Sequence, residues 1–246
     1  MEEKNQQLSE MIRKADNIVF FGGAGVSTAS GIPDFRSAHG IYAGAQGRSY
    51  EEMLSHGYFM RQTDAFWDFY KKVMLYPEAK PNAAHEALAL LEKRGKLKAV
   101  VTQNIDGLHQ AAGSRTVWEL HGTVHQNSCM RCGKPYSLAD VLAQEGTPRC
   151  SCGGVIKPDV VLYGESLDGD VITGALDAIG ACDLLIVGGT SLVVHPAAGF
   201  ITYAKAGTPL VLINRDGTAY DERADLIIRE DIAEVLRDAV KGEDQV

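Results

Sequence analysis

Seven short runs of consecutive apolar residues punctuate the chain: NIVFF (17–21), KAVVT (98–102), TVWEL (116–120), DVVLY (159–163), DLLIVG (183–188), PLVLI (209–213) and DLIIR (225–229). They are continuous rather than alternating, the pattern of strands buried on both faces. Helical patterns lie between most of them. PNAAHEALALLEKRG (81–95) has proline near its start, Leu88 and Leu91 on one face, and Gly95 as a stop. HPAAGFITYAKAG (195–207) and EDIAEVLRDAV (230–240) read the same way. Alternating strands and helices predict an α/β fold, a doubly wound parallel sheet with helices on both faces. Two segments break the alternation: 38–80, a Gly- and Ala-rich loop followed by the aromatic helix DAFWDFYKKVML, and 123–157, which holds four cysteines. Both read as inserts in one domain spanning 1–246, the first a small helical module and the second a metal-binding module.

Composition adds limits. The chain has 246 residues, 45% of them hydrophobic and 23% charged, enough to bury a core. A net charge of -8 argues against general nucleic-acid binding. No apolar run is long enough for a membrane span, and MEEKNQQLSEMIRKAD reads as a charged amphipathic helix rather than a signal peptide. The expectation is a cytoplasmic monomer with no membrane or nucleic-acid partner. Cys129-Met-Arg-Cys132 and Cys150-Ser-Cys152 offer two pairs of thiolates, which fit a closed tetrahedral structural zinc site; free or redox-active thiols are the alternative. Gly153-Gly154 would supply the turn that the tight second pair needs. Cys182 reads as a small buried apolar residue.

The first strand runs into Gly23-Ala24-Gly25, a setting in which glycine lets backbone approach a pyrophosphate. The helix that should follow is cut short by Gly31 and Pro33, and no second strand carries an acidic ribose reader, which weakens a hydride-transfer reading. Asn214, at the tip of PLVLI, is another ribose reader, and Gly188-Gly189-Thr190-Ser191 is another loop with exposed N–H groups. Simple turn chemistry is the alternative for each loop alone; three at strand ends favour a nucleotide site. Thr102-Gln103-Asn104-Ile105-Asp106 and His121-Gly122 also follow strands, and His121 is either a general base or a structural histidine. His85 and His109 fall on helical patterns as packed or hydrogen-bonded residues. His39, His56, His125 and His195 receive no chemistry.

Taken in order, Gly23-Ala24-Gly25-Val26-Ser27, Gly31-Ile32-Pro33-Asp34-Phe35-Arg36, Gln103-Asn104-Ile105-Asp106, His121-Gly122 and the four cysteines resemble the sirtuins, from about residue 8 to about 240. The resemblance implies a NAD-dependent protein-lysine deacetylase. NAD is consumed as co-substrate: the acyl-lysine oxygen attacks the nicotinamide ribose, nicotinamide leaves, an alkylimidate forms, and acetyl ends on ADP-ribose. It implies that Ala24 and Thr28 line the phosphate end, and that Phe35 and Arg36 belong to a mobile loop that shields the ribose and meets phosphate. Asp106 and the Ile105 backbone would hold the nicotinamide carboxamide, and Gln103 and Asn104 the ribose hydroxyls and a water. His121 would be the base. Thr190, Ser191, Asn214 and Ile232 match phosphate, ribose and adenine contacts. The acetylated substrate peptide would pair as a strand between Val161-Leu162-Tyr163-Gly164-Glu165 and Leu192-Val193-Val194. Cys129, Cys132, Cys150 and Cys152 would hold zinc.

Two departures matter. Sirtuins that prefer acidic acyl groups carry Tyr-x-x-Arg on the aromatic helix; here Tyr70 is followed by Lys71, Lys72 and Val73, which predicts neutral acyl groups, acetyl first. The second cysteine pair is Cys-x-Cys where many relatives have Cys-x-x-Cys. The alternative activities are ADP-ribosyl transfer to protein, deacylation of other acyl-lysines, or NAD hydrolysis. A non-catalytic binding module is opposed by the intact His121, Asn104 and Asp106.

Overall fold

The computed structural model describes residues 2–34 and 49–242. Six parallel strands form the main sheet: β1 (Ile18–Gly22), β2 (Leu97–Thr102), β3 (Val117–Glu119), β7 (Leu184–Gly188), β8 (Leu210–Ile213) and β9 (Leu226–Ile228). Their order is β3-β2-β1-β7-β8-β9, so the chain first builds outward from β1 on one side and later from β1 on the other. β1 and β7 are the central pair, in register from Ile18–Leu184 to Gly22–Gly188. Loops leaving the two strands there run in opposite directions, which opens a crevice at the carboxyl edge. Every residue of β1, β7 and β8 is buried, as continuous apolar runs require.

Helices cover both faces. On one, α1 (Glu2–Lys14), α5 (Ala83–Lys93) and α9 (Ile232–Gly242) pack with Phe20, Val100 and Ile186. Leu8 and Ile12 of α1 are four apart, one helical turn, and both are fully buried, each contributing about 1.5–3 kcal/mol of transfer energy. α5 starts at Asn82, whose side chain accepts from Ala84 N–H, while His85 Nδ1 accepts from Asn82 N–H. On the other face lie α8 (Gly169–Ala181) and a 3-10 segment, Ala197–Tyr203. The periodicity predicted an ordinary helix over 195–207; Gly199 and the β-branched Ile201 and Thr202 lower helix propensity there, and the tighter turn results.

A second lobe contains the antiparallel strands β4 (Gly122–Cys129), β5 (Pro135–Ser137) and β6 (Ile156–Val160), ordered β5-β4-β6, with α7 (Leu138–Leu142). The run 159–163 was expected in the main sheet. Only its start belongs to a strand, β6, which pairs with β4 at Ser128–Lys157 and Cys129–Ile156. Helices α2 (Tyr50–Met53), α3 (His56–Arg61) and α4 (Thr63–Val73) pack on this lobe. Phe59, Phe66, Trp67 and Tyr70 share one core with Val141, Ile156 and the sulfur-bearing Cys129 and Cys150. The described part of the first insert, residues 49–80, and the second insert are therefore two parts of one packed unit. The short helix α6 (Leu108–Ala112) completes the fold. Among the described residues no helix is long and apolar enough to cross a membrane.

Candidate active site

The carboxyl ends of the main strands open into a cavity of about 1130 Å³ between the two lobes. The turn after β1 brings in Ala24 and Thr28, and the segment after β2 brings in Gln103, Asn104, Ile105 and Asp106. His121 enters between β3 and β4; Thr190 and Ser191 follow β7; Asn214 follows β8; Ile232 begins α9. Val161, Tyr163, Gly164, Glu165 and Val194 line the same cavity. Phe35 and Arg36 lie outside the described residues.

The glycines have a local reason. Gly25 N–H donates to Gly189 O at 2.8 Å, and a Cβ on Gly25 would lie 2.8 Å from Gly189 Cα. Gly189 has φ +61°, and a Cβ there would lie 2.4 Å from Val26 N. The turns after β1 and β7 thus cross backbone to backbone, and neither tolerates a side chain at the crossing. The sequence reading set Gly23 and Gly25 against a pyrophosphate; within the fold the space their side chains would take is filled by the other turn.

A chain of hydrogen bonds crosses the cavity floor. Asn104 Nδ2 donates to Ser27 Oγ at 3.1 Å, and Ser27 Oγ donates to Asp106 Oδ2 at 2.6 Å. Leu108 N–H holds the other carboxylate oxygen, Oδ1, at 2.9 Å. Asn104 N–H donates to Thr102 Oγ1, and Gln103 Nε2 donates to Thr190 Oγ1, both at 3.0 Å. Ser27, 1% exposed, was assigned no role from sequence. Its position two residues past Gly25, in the tight turn, was the available signal.

Among the described residues His121 makes one side-chain bond: Nδ1 lies 3.0 Å from Gln103 O. A carbonyl only accepts, so Nδ1 carries the proton and Nε2 keeps its lone pair. Burial pushes the imidazole below its ordinary range, and the Gln103 carbonyl partly offsets this. The ring is therefore neutral at pH 7, with a basic nitrogen in the cavity. His125, given no chemistry from sequence, also lines the cavity, and its Nε2 lies 2.9 Å from Asp106 O.

Tyr163 lines the cavity and is 40% exposed; Val193, 53% exposed, sits beside the cavity-lining Val194. Glu165 turns its carboxylate inward, where His56 Nδ1 (2.8 Å), Lys157 Nζ (3.0 Å) and Leu162 N–H (2.8 Å) meet it, so it braces the 161–165 loop. Deeper, Tyr70 is 1% exposed and its hydroxyl has no hydrogen-bond partner among the described residues. Lys71 Nζ donates to Gln144 O (2.5 Å) and Gly146 O (2.9 Å), which ties it to the second lobe.

The four clustered cysteines place their sulfurs within 4.8 Å of one another, with Cys129–Cys152 at 3.5 Å and Cys132–Cys150 at 3.6 Å. Tetrahedral zinc with bonds of about 2.3 Å separates its sulfurs by about 3.8 Å, so the set fits. Gly153 adopts φ +79°, and a Cβ on Gly154 would lie 2.7 Å from Cys129 Sγ; the pair makes the turn and leaves room for the sulfur.

A model of the Sir2 family matches residues 23–196. An NAD-dependent protein deacetylase of Clostridium acetobutylicum is 54% identical over 242 residues, covering 97% of this chain and 98% of that protein. One from Cutibacterium acnes is 50% identical, covering 94% and 95%. A structure described under the mechanism and regulation of Sir2 enzymes superposes with a TM-score of 0.91 at 39% identity, covering 100% of this chain and 99% of that one. Another, of Sir2 with a p53 peptide and NAD+, superposes at 0.86 with 36% identity, covering 98% and 99%. With the family model spanning most of the chain and relatives above half identity along nearly all of it, the chain belongs to the Sir2 family, the sirtuins.

Proposed function

We propose that this protein is an NAD-dependent protein-lysine deacetylase that releases nicotinamide and O-acetyl-ADP-ribose. The observation that carries the reading is the pairing of a neutral, oriented His121 with the Asn104–Ser27–Asp106 chain in one cavity. Bound NAD would supply the ribose carbon that takes the acyl oxygen, the nicotinamide that leaves and the ribose hydroxyl on which acetyl ends. Asp106, fixed through both carboxylate oxygens, and the Ile105 backbone hold the carboxamide. Asn104 uses its Nδ2 on Ser27, which leaves its amide oxygen for a ribose hydroxyl or water. Gln103 is oriented by Thr190 and serves the same ribose. His121 Nε2 takes a ribose hydroxyl proton; the Gln103 carbonyl stabilises the imidazolium that results. Ala24, Thr28, Ser191, Asn214 and Ile232 take the phosphates, second ribose and adenine, and Phe35 and Arg36 are assigned to the same cofactor.

The peptide lies between Val161–Glu165 and Leu192–Val194, where backbone pairing tolerates many sequences. Cys129, Cys132, Cys150 and Cys152 hold zinc, which has a folding role because four thiolates leave no open position. We read 1–246 as one catalytic domain, with 38–80 and 123–157 as its inserts. Thiolate zinc ligands fit a reducing compartment, hence the cytoplasm.

The test incubates protein, NAD and an acetyl-lysine peptide and measures nicotinamide and acetyl-ADP-ribose. Product should appear with wild type and fall at least about a hundredfold in His121→Ala. Label from NAD ending on protein instead would favour ADP-ribosyl transfer.

A further inference from the structure

The turn at Asp106–Gly107 is fastened unevenly. The Asp106 carboxylate is held by Ser27 Oγ and Leu108 N–H. The peptide that joins Asp106 to Gly107 has a different anchor. His125 Nε2 lies 2.9 Å from Asp106 O, and since a carbonyl only accepts, Nε2–H is the donor. One residue earlier on β4, Val124 N–H donates to Ile105 O at 3.0 Å. Adjacent β4 residues thus hold adjacent carbonyls, one through the backbone and one through a side chain. Gly107 has φ +70°, and a Cβ there would lie 2.6 Å from His125 Nε2, so the imidazole is pressed against the turn. Glu119, an acid facing both Asp106 and His125, is engaged by Gln110 and Thr123.

Glycine populates several φ, ψ regions at small cost, so the 106–107 peptide can rotate about Gly107 unless something holds its carbonyl. We propose that His125 is a positioning residue for the nicotinamide end of the site, a latch that keeps the Asp106–Gly107 peptide in one orientation. Rotation of that peptide would drag the Asp106 carboxylate and the Ile105 peptide off the carboxamide, while the phosphate and adenine ends of the cavity would be untouched. The latch rests on the role given to Asp106 under the proposed function. His125 touches the reaction only through Asp106.

The test compares wild type with His125→Leu, which keeps bulk without a donor, and His125→Gln, which restores a donor on a flexible stem. Nicotinamide and ADP-ribose affinities are measured by calorimetry, and KM values for NAD and peptide in the deacetylation assay. For His125→Leu, nicotinamide affinity should weaken and NAD KM rise by about three- to tenfold, the span to which the net worth of one hydrogen bond converts. ADP-ribose affinity, peptide KM and melting temperature should stay at wild-type values, and His125→Gln should recover most of the loss. Unchanged nicotinamide affinity and NAD KM in His125→Leu would overturn the latch. So would a parallel loss of ADP-ribose affinity, which marks a general distortion. A wild type that binds nicotinamide and ADP-ribose yet makes no nicotinamide from NAD and acetyl-peptide would sink the proposed function alone, because the binding comparison still decides the latch.

Discussion

His85 and His109 predict a specific acid sensitivity. Their ring centroids are 4.7 Å apart, and they are 0% and 1% exposed. Burial pushes His85 down to about 4, with Asp106 partly opposing; burial and the neighbouring His85 push His109 down to about 3. In the unfolded chain both return to about 6.5. Below that value the unfolded state binds more protons than the native state, so stability is lost as pH falls from 6.5 toward 4. Between pH 7 and pH 5 each ring stays neutral in the fold and takes up a proton on unfolding, at about 2 kcal/mol per ring or about 4 kcal/mol for the pair. That is a large part of a typical domain stability of about 5–15 kcal/mol. The perturbation is His109→Leu, alone and with His85→Gln, which keeps an acceptor near the Asn82 cap. Urea unfolding at pH 7 and pH 5 gives the loss for each protein. Wild type should lose about 2 kcal/mol more than the single variant and about 4 kcal/mol more than the double. The cysteine cluster is common to all three, so its own pH dependence cancels in the difference. Neither nitrogen of His109 has a partner among the described residues, so leucine there should not weaken the protein at pH 7 by losing a hydrogen bond. Equal losses in wild type and variants between the two pH values would refute the buried neutral pair.

Gly189→Ala should lower the melting temperature and NAD affinity together: left-handed backbone alone costs about 1–2 kcal/mol, before the collision with Val26 N. Gly31→Ala, also at positive φ but with nothing among the described residues within 4 Å of its added Cβ, should show only the backbone part in the same melts. Zinc analysis should find one equivalent per chain, and chelation or Cys129→Ser should melt the second lobe and abolish deacetylation; full activity without metal would contradict a structural site. With one peptide, acetyl-lysine should be cleaved faster than succinyl-lysine, because Lys71 is committed to two carbonyls of the second lobe and no arginine stands at Val73. Faster desuccinylation would overturn that preference.

The central strands and their double burial were legible because a buried parallel strand needs a continuous apolar run, and NIVFF and DLLIVG are such runs; TVWEL at the sheet edge is only half-buried, and DVVLY reads the same way yet lies outside that sheet. The cysteine cluster was legible because chelation demands close spacing within each pair. The family was legible because its motifs are short and local. The sequence could also suggest that the strand-end loops meet, since loops at the carboxyl edge of an open sheet share a crevice. It could not say which backbone meets which. That Gly25 faces Gly189, that Ser27 joins Asn104 to Asp106, and that His125 reaches the Asp106 carbonyl depend on the strand order β3-β2-β1-β7-β8-β9 and on how the second lobe docks. The two inserts looked separate because each was read by its own pattern; the described part of the first, from residue 49, shares one core with the second because α4 had an aromatic face to bury and the cysteine-bearing lobe offered the surface. Periodicity records which face of an element is buried. What that face is buried against is set by contacts between residues far apart in the chain, and only the folded structure decides those.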